Sequence, residues 1–223
     1  EANTLLIGIS RTNNEEIEKL KEKYYPRFLF NEVNINDYEN IDSIIKTFNN
    51  DHVAPDFAIC NAASRSRRKI LDSGIELYKS ILEVNTLSNI NISKLLIENS
   101  LKKKEKLNLL FVSSIVGSRG FDELSTYAVS KSALEGFMKS AAIEYAKKDI
   151  QINCIAPGFV ESSYAVDFRN SKPDLYKWTI EQTPMGRWGT CEEIADVAIF
   201  AVSKINSYMT GSVIYCDGGW TAK

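Results

Sequence analysis

Histidine is almost missing from this chain: its 223 residues contain one, His52, in the polar stretch Asn-Asn-Asp-His-Val-Ala-Pro. That scarcity, with no nucleophile-elbow glycines around any serine, excludes a Ser-His-Asp hydrolase and reads His52 as solvated. Glycine is scarce where it matters, since Gly8 is the sole glycine of the first 73 residues. A Gly-rich turn, which lets backbone N–H groups reach a pyrophosphate, is therefore absent from the opening strand. The four cysteines, Cys60, Cys154, Cys191 and Cys216, form no CxxC pair. A zinc site or disulfide framework is excluded, no metal is expected, and a reducing cytoplasm fits. No run approaches 18 apolar residues, so no membrane span is expected. Lys and Arg total 27 against 29 Asp and Glu, a net charge of -2, which gives no general attraction for nucleic acid or membrane. No charged-then-apolar leader points to secretion.

What is present is an ordinary globular composition, 44% hydrophobic and 25% charged, with short apolar runs alternating with amphipathic stretches. Strands are predicted at 4–10, 27–33, 56–60, 107–113, 151–156 and 212–216. Helices are predicted at 13–25, 38–48, 74–101, 125–148 and 191–202, with 159–183 as a long irregular segment. Near-continuous apolar strands separated by helices imply an α/β, Rossmann-like doubly wound parallel sheet in a single domain, 1–223. Right-handed crossovers put the functional loops at the carboxyl ends of the strands.

The opening residues admit two readings. Residues 4–10 are either the first strand of a sheet with a broken phosphate site, or its second strand, a strand–turn–helix unit of roughly 25–30 residues being absent before Glu1. The second is favoured, because without the central strand two parallel strands would each expose an unpaired apolar edge.

Ser114, Tyr127 and Lys131 stand in the order Ser-x12-Tyr-x3-Lys at the junction of a strand and a helix. Tyr127 and Lys131, four apart, share one helix face. An ammonium held close favours the phenolate, moving a tyrosine from its usual value near 10 towards neutrality and making it a proton exchanger. Ser114, at its strand's end, is placed to hydrogen-bond the substrate oxygen. The YxxxK spacing alone decides nothing in a chain with 10 tyrosines.

An ordered series does decide. Cys60-Asn61-Ala62-Ala63, Glu83-Val84-Asn85, Val112 to Gly117, Tyr127-Ala-Val-Ser-Lys131, Ile155-Ala-Pro157-Gly158-Phe-Val160-Glu-Ser162, Pro184 to Gly189 and Asp217-Gly-Gly219 follow one another. With these, the chain resembles the short-chain dehydrogenase/reductase family along essentially its whole length, including members that reduce 3-oxoacyl carrier-protein thioesters. The family's Gly-rich TGxxxGxG turn is the one signature without a counterpart. The resemblance implies a carbonyl reductase or secondary-alcohol dehydrogenase, with Asn85, Ser114, Tyr127 and Lys131 catalytic and Asn85 organising a water relay that ends at Lys131. It places nucleotide contacts at Ser10, Arg11, Asn34, Ile35, Asn61, Ala62, Ala63, Tyr127, Lys131, Pro157, Gly158, Val160 and Ser162. Because Arg11 and no acid follows the strand, NADP(H) is expected in preference to NAD(H). Residues 159–183, with Phe159, Tyr164, Phe168 and Trp178, are expected to face a partly apolar substrate under a mobile lid. The family further implies a homo-tetramer, and acyl-carrier-protein docking at Lys102, Lys103, Lys104, Lys106, Lys147 and Lys148. Against this enzyme stands an inactive binding or scaffold relative that lacks the phosphate loop.

Overall fold

The structure, a computed structural model, describes residues 4–50 and 55–223; His52 lies outside them. Eight strands and eight helices alternate among the described residues. The opening is β1 (Leu6–Ser10), α1 (Glu15–Tyr24), β2 (Phe28–Glu32), α2 (Tyr38–Asn50) and β3 (Phe57–Cys60). After it come α3 (Ile75–Leu82), α4 (Ser88–Lys103), β4 (Leu107–Val112), α5 (Ser125–Tyr145) and β5 (Ile150–Pro157). The chain ends with β6 (Val160–Glu161), α6 (Ser163–Ser171), α7 (Pro173–Gln182), β7 (Gly189–Thr190), α8 (Cys191–Val202) and β8 (Val213–Cys216).

All strand pairings are parallel. The central sheet has the order β3-β4-β5-β8, and its strands are apolar in succession because helices cover both faces. On one face Ile41, Leu96, Leu134 and Met138 from α2, α4 and α5 pack against Leu109, Phe111, Ile152 and Cys154. On the other, Ala198, Ala201 and Val202 of α8 pack against Leu110 and Ile155. Local signals set the helix boundaries. Asn14 caps α1, its Oδ1 accepting from the Ile17 N–H at 2.9 Å, and Thr190 with Glu193 forms a reciprocal capping box at the start of α8.

Three features depart from a continuous sheet and unbroken helices. First, β1 and β2 form their own parallel pair, with no ladder to β3 among the described residues. Leu6 and Ile59, one on each side of this division, are 48% and 40% exposed. Secondly, the helix expected over 74–101 is split by a π-helical turn at Glu83–Leu87. Thirdly, the segment 159–183, read from sequence as irregular, holds two helices, α6 and α7, and the short pair β6–β7. Pro173 at the first position of α7 was a start signal, but neither helix carries a long apolar stripe.

Candidate active site

The carboxyl ends of the strands gather the expected residues. β4 ends at Val112, and two residues later Ser114 turns the chain into a 3-10 turn at Ile115–Gly117. The Ser114 Oγ accepts a hydrogen bond from the Val116 N–H at 3.2 Å, so its own proton stays available to a second acceptor. Tyr127 lies in the first turn of α5 and Lys131 one turn on. The Lys131 side chain is 1% exposed, its Nζ donates to the Val112 carbonyl at 2.7 Å, and it stands 5.4 Å from the centre of the Tyr127 ring. The ammonium is thus held between the strand end that leads to Ser114 and the helix that carries the phenol.

Burial governs the protonation of both. Lys131 is pushed down to about 8 by desolvation. Desolvation also raises Tyr127 above the usual tyrosine range, and the group that opposes this is the Arg65 guanidinium, 6.0 Å from the ring, rather than the expected Lys131. In this structure the phenol is held protonated.

Asn85 occupies the π-helical turn, where the helix register slips and a side chain can be aimed inward. It is fully buried. Its Oδ1 accepts from the Ser64 N–H at 2.6 Å, and its Nδ2 donates to the Ser64 carbonyl at 2.8 Å and to the Ser130 Oγ at 2.9 Å. The side chain therefore clamps the loop after β3 onto α5 and makes no bond with Lys131. Its main-chain carbonyl takes the Asn89 amide at 2.8 Å.

A residue that the sequence did not single out completes the framework. Glu135, buried one turn beyond Lys131, accepts from the Ser113 Oγ at 2.6 Å and packs where any side chain on Gly117 would sit. It ties the strand end before Ser114 to the helix of Tyr127 and Lys131. An acid at i+4 from Lys131 was a visible signal, but only packing shows that this position faces inward.

The expected nucleotide contacts line the same rim. Ser10 ends β1 with exposed Arg11 beyond it, and Asn34 and Ile35 follow β2, the latter 7% exposed in the core. Asn61, Ala62 and Ala63 follow β3 and are exposed. Pro157 closes β5, Gly158 approaches Asp217 so tightly that a Cβ would lie 2.8 Å from its Cα, Val160 is in β6, and Ser162 precedes α6. Lys131 spends one of its three donors on the Val112 carbonyl, which leaves two for a hydrogen-bonding ligand. No Gly-rich turn follows a strand among the described residues to hold the pyrophosphate.

A cleft of about 460 Å³ is lined by Arg67, Phe121, Phe159, Lys172, Trp178 and Trp220, among others, and Tyr127 packs in the same apolar cluster as Phe121, Phe159 and Trp220. Phe159 is its hub, with ring centres 5.3 Å from Trp188, 5.1 Å from Trp220 and 6.1 Å from Phe121. Of the aromatics expected to face substrate, Phe168 is 3% exposed and packs on Trp188 instead, whereas Trp178 is open to the cleft. Glu123 joins the walls: Lys172 lies 3.0 Å and Arg67 3.8 Å from its carboxylate. Far from this site, the basic residues close α4 and the turn after α5, and Leu107 N–H bonding to the Asp149 carbonyl puts both groups at the amino ends of β4 and β5.

Comparison with known proteins agrees with this geometry. The family model described as "Enoyl-(Acyl carrier protein) reductase" matches residues 1–221. The chain belongs to the short-chain dehydrogenase/reductase family. It is accordingly an NAD(P)-dependent oxidoreductase acting between carbonyl and CH–OH groups. A 3-oxoacyl-[acyl-carrier-protein] reductase of Aquifex aeolicus is 31% identical over 205 residues, covering 91% of this chain and 80% of that one. One from Chlamydia trachomatis is 30% identical over 221 residues, 98% of this chain and 87% of its own. Among solved structures, 4-hydroxyisoleucine dehydrogenase, in a mutant complexed with NADH and succinate, superposes with a TM-score of 0.91 at 23% identity, covering 99% of this chain and 90% of that one. ElxO with NADP bound gives 0.89 at 23%, with 98% and 89% covered.

Proposed function

We propose that this short-chain dehydrogenase/reductase reduces a small carbonyl substrate with NADP(H), Tyr127 serving as the proton donor. The observation that carries the reading is Lys131: an ammonium buried to 1% exposure, one helical turn from a buried phenol and anchored to the strand end that leads to Ser114. An inactive scaffold has no use for such a group, whose burial opposes its charge.

The nucleotide, when bound, supplies the hydride. Ser114, its Oγ already accepting from Val116, donates its proton to the substrate carbonyl and holds it beside Tyr127. Tyr127, protonated in the folded protein, gives its proton to the developing alkoxide as general acid, and takes it back as base in alcohol oxidation. Lys131 stabilises the phenolate that remains and offers its spare donors to the ribose. Asn85 holds the loop after β3 in place, and Pro157, Gly158, Val160 and Ser162 border the nicotinamide side. Asn61, Ala62 and Ala63 border the riboses. Arg11, exposed and without an acid partner among the described residues, supports NADP(H) over NAD(H), with Ser10, Asn34 and Ile35 beside it.

The carrier-protein reductases among the relatives support a 3-oxoacyl thioester as one candidate substrate. Docking at the lysines of 102–106 and 147–148 would ask the thioester arm to reach along β4, about 20 Å for six residues. Exposed Val129 and Ile143 on α5, and Ile199, Phe200 and Tyr215 on α8 and β8, support pairing between copies, as a homo-tetramer requires. Four free thiols support a cytoplasmic setting. The test is NADPH oxidation with a ketone panel, wild type against Tyr127→Phe, with NADH in parallel and Arg11→Ala as the specificity variant. Equal rates for wild type and Tyr127→Phe reject the mechanism; an unchanged NADPH:NADH ratio in Arg11→Ala rejects the cofactor assignment.

A further inference from the structure

Arg65 stands beside the Tyr127 ring and differs from several nearby cations in its partners. Arg67 and Lys172 share Glu123, Arg169 pairs with Glu161, and Arg187 grips Glu193. Arg65, among the described residues, has no carboxylate partner. Its guanidinium lies over the Tyr164 ring of α6, 3.8 Å from the centre, and 6.0 Å from the centre of the Tyr127 ring. Stacking of this kind holds the planar fork while leaving its N–H edge free.

Its backbone is held as firmly. The residue before it, Ser64, has both main-chain groups clamped by the buried Asn85 amide at 2.6 and 2.8 Å. Two and three residues after it, Arg67 Nη1 donates to the Asp122 carbonyl at 3.3 Å and the Arg68 N–H to the Glu123 carbonyl at 2.9 Å. A positive charge in an organised position next to the phenol, with no carboxylate partner among the described residues, is complementary to a negative charge on what binds there.

We propose that Arg65 is a specificity residue for a substrate carboxylate, so that the compound reduced at Tyr127 is a small oxo acid (oxidised, in reverse, as the hydroxy acid) rather than a neutral ketone or thioester. The inference rests on the catalytic reading above and sharpens it. The guanidinium forks onto the two carboxylate oxygens, the carbonyl of the same molecule lies against Ser114 and Tyr127, and the apolar remainder meets Phe159 and Trp220.

The test uses the full chain with NADPH and three probes: acetoacetate, acetoacetamide and S-acetoacetyl-N-acetylcysteamine. The wild type is expected to favour the acid over the amide in kcat/KM. Arg65→Gln should lower that preference by about 10- to 100-fold, the range of a charge-assisted hydrogen bond, and Arg65→Lys should keep part of it. Equal effects on acid and amide, no effect on either, or a wild-type preference for the amide or thioester would overturn the proposal while leaving the catalytic reading intact. If no probe is reduced, the catalytic reading fails. The anion site is then judged by titrating acetoacetate against the fluorescence of Trp178 and Trp220. Weaker binding by Arg65→Gln supports it, and equal binding or none overturns it.

Discussion

Strands β4 and β5 bury ten of their fourteen residues, whereas β1 and β2, apolar over much of their length, bury none of their ten. The difference is one of neighbours. β4 and β5 have a strand on each side and a helix layer on each face. The β1–β2 pair has no third strand among the described residues, α1 carries no buried residue, and Ile9 meets the main core only as a partly buried neighbour. Hydrophobic sequence creates the demand for burial, but strand partners and covering helices meet it. The residues proposed to transfer the proton stand on the well-packed half: Ser114 after β4, Tyr127 and Lys131 on α5. The expected adenine and phosphate contacts, Ser10, Arg11 and Asn34, stand on the open half.

The comparison can be broken from either side. The largest effect is expected for Tyr127→Phe, which should lower kcat for carbonyl reduction by roughly 100- to 10,000-fold, the range for a lost general acid, without moving the melting temperature more than a few degrees. Stopped-flow NADPH oxidation and calorimetry check the two parts. Next, Ile152→Ala in β5 should cost about 2–5 kcal/mol in urea unfolding, while Leu29→Ala in β2, 45% exposed, should cost less than about 1 kcal/mol. Comparable losses would mean that the two halves share one packing environment after all.

Lys131→Met should remove activity and yet stabilise the fold at pH 7 by up to roughly 3 kcal/mol, from a lysine lowered from 10.5 to about 8, less the contribution of its bond to Val112. Between those two values the unfolded chain holds the proton and the folded chain has released it, so wild-type stability rises with pH across this window. The advantage of the variant should shrink from pH 8 to 10.5 in denaturation series. Over the same rise, wild-type kcat/KM for reduction should fall above about pH 8 as the ammonium is lost. The smallest effect is expected for Thr190→Ala, which removes half of the α8 capping box and should cost about 1 kcal/mol with kcat unchanged.

Much of this molecule was legible in its residues. Twelve of the sixteen elements were visible within eleven apolar runs or amphipathic stretches, because a strand between two helix layers is apolar throughout and a covering helix repeats its apolar face. The elements that escaped, β6, β7, α6 and α7, with the break between α3 and α4, are short or form around the cleft, where aromatic contacts replace periodicity. Residues Ser114, Tyr127 and Lys131 announced themselves by chemistry and spacing. Glu135, Phe121, Trp188 and Trp220 did not, since each matters only through what it touches across the chain.

The sequence by itself determined the layered parallel α/β order, and which side chains can exchange a proton, because strand and helix periods and functional groups are local properties. Tertiary structure alone decided that Lys131 is dry, that the cation opposing Tyr127's rise is Arg65, and that Asn85 spends its amide on Ser64 and Ser130. Those outcomes depend on desolvation and distance between residues 19 to 62 positions apart, which no local pattern encodes.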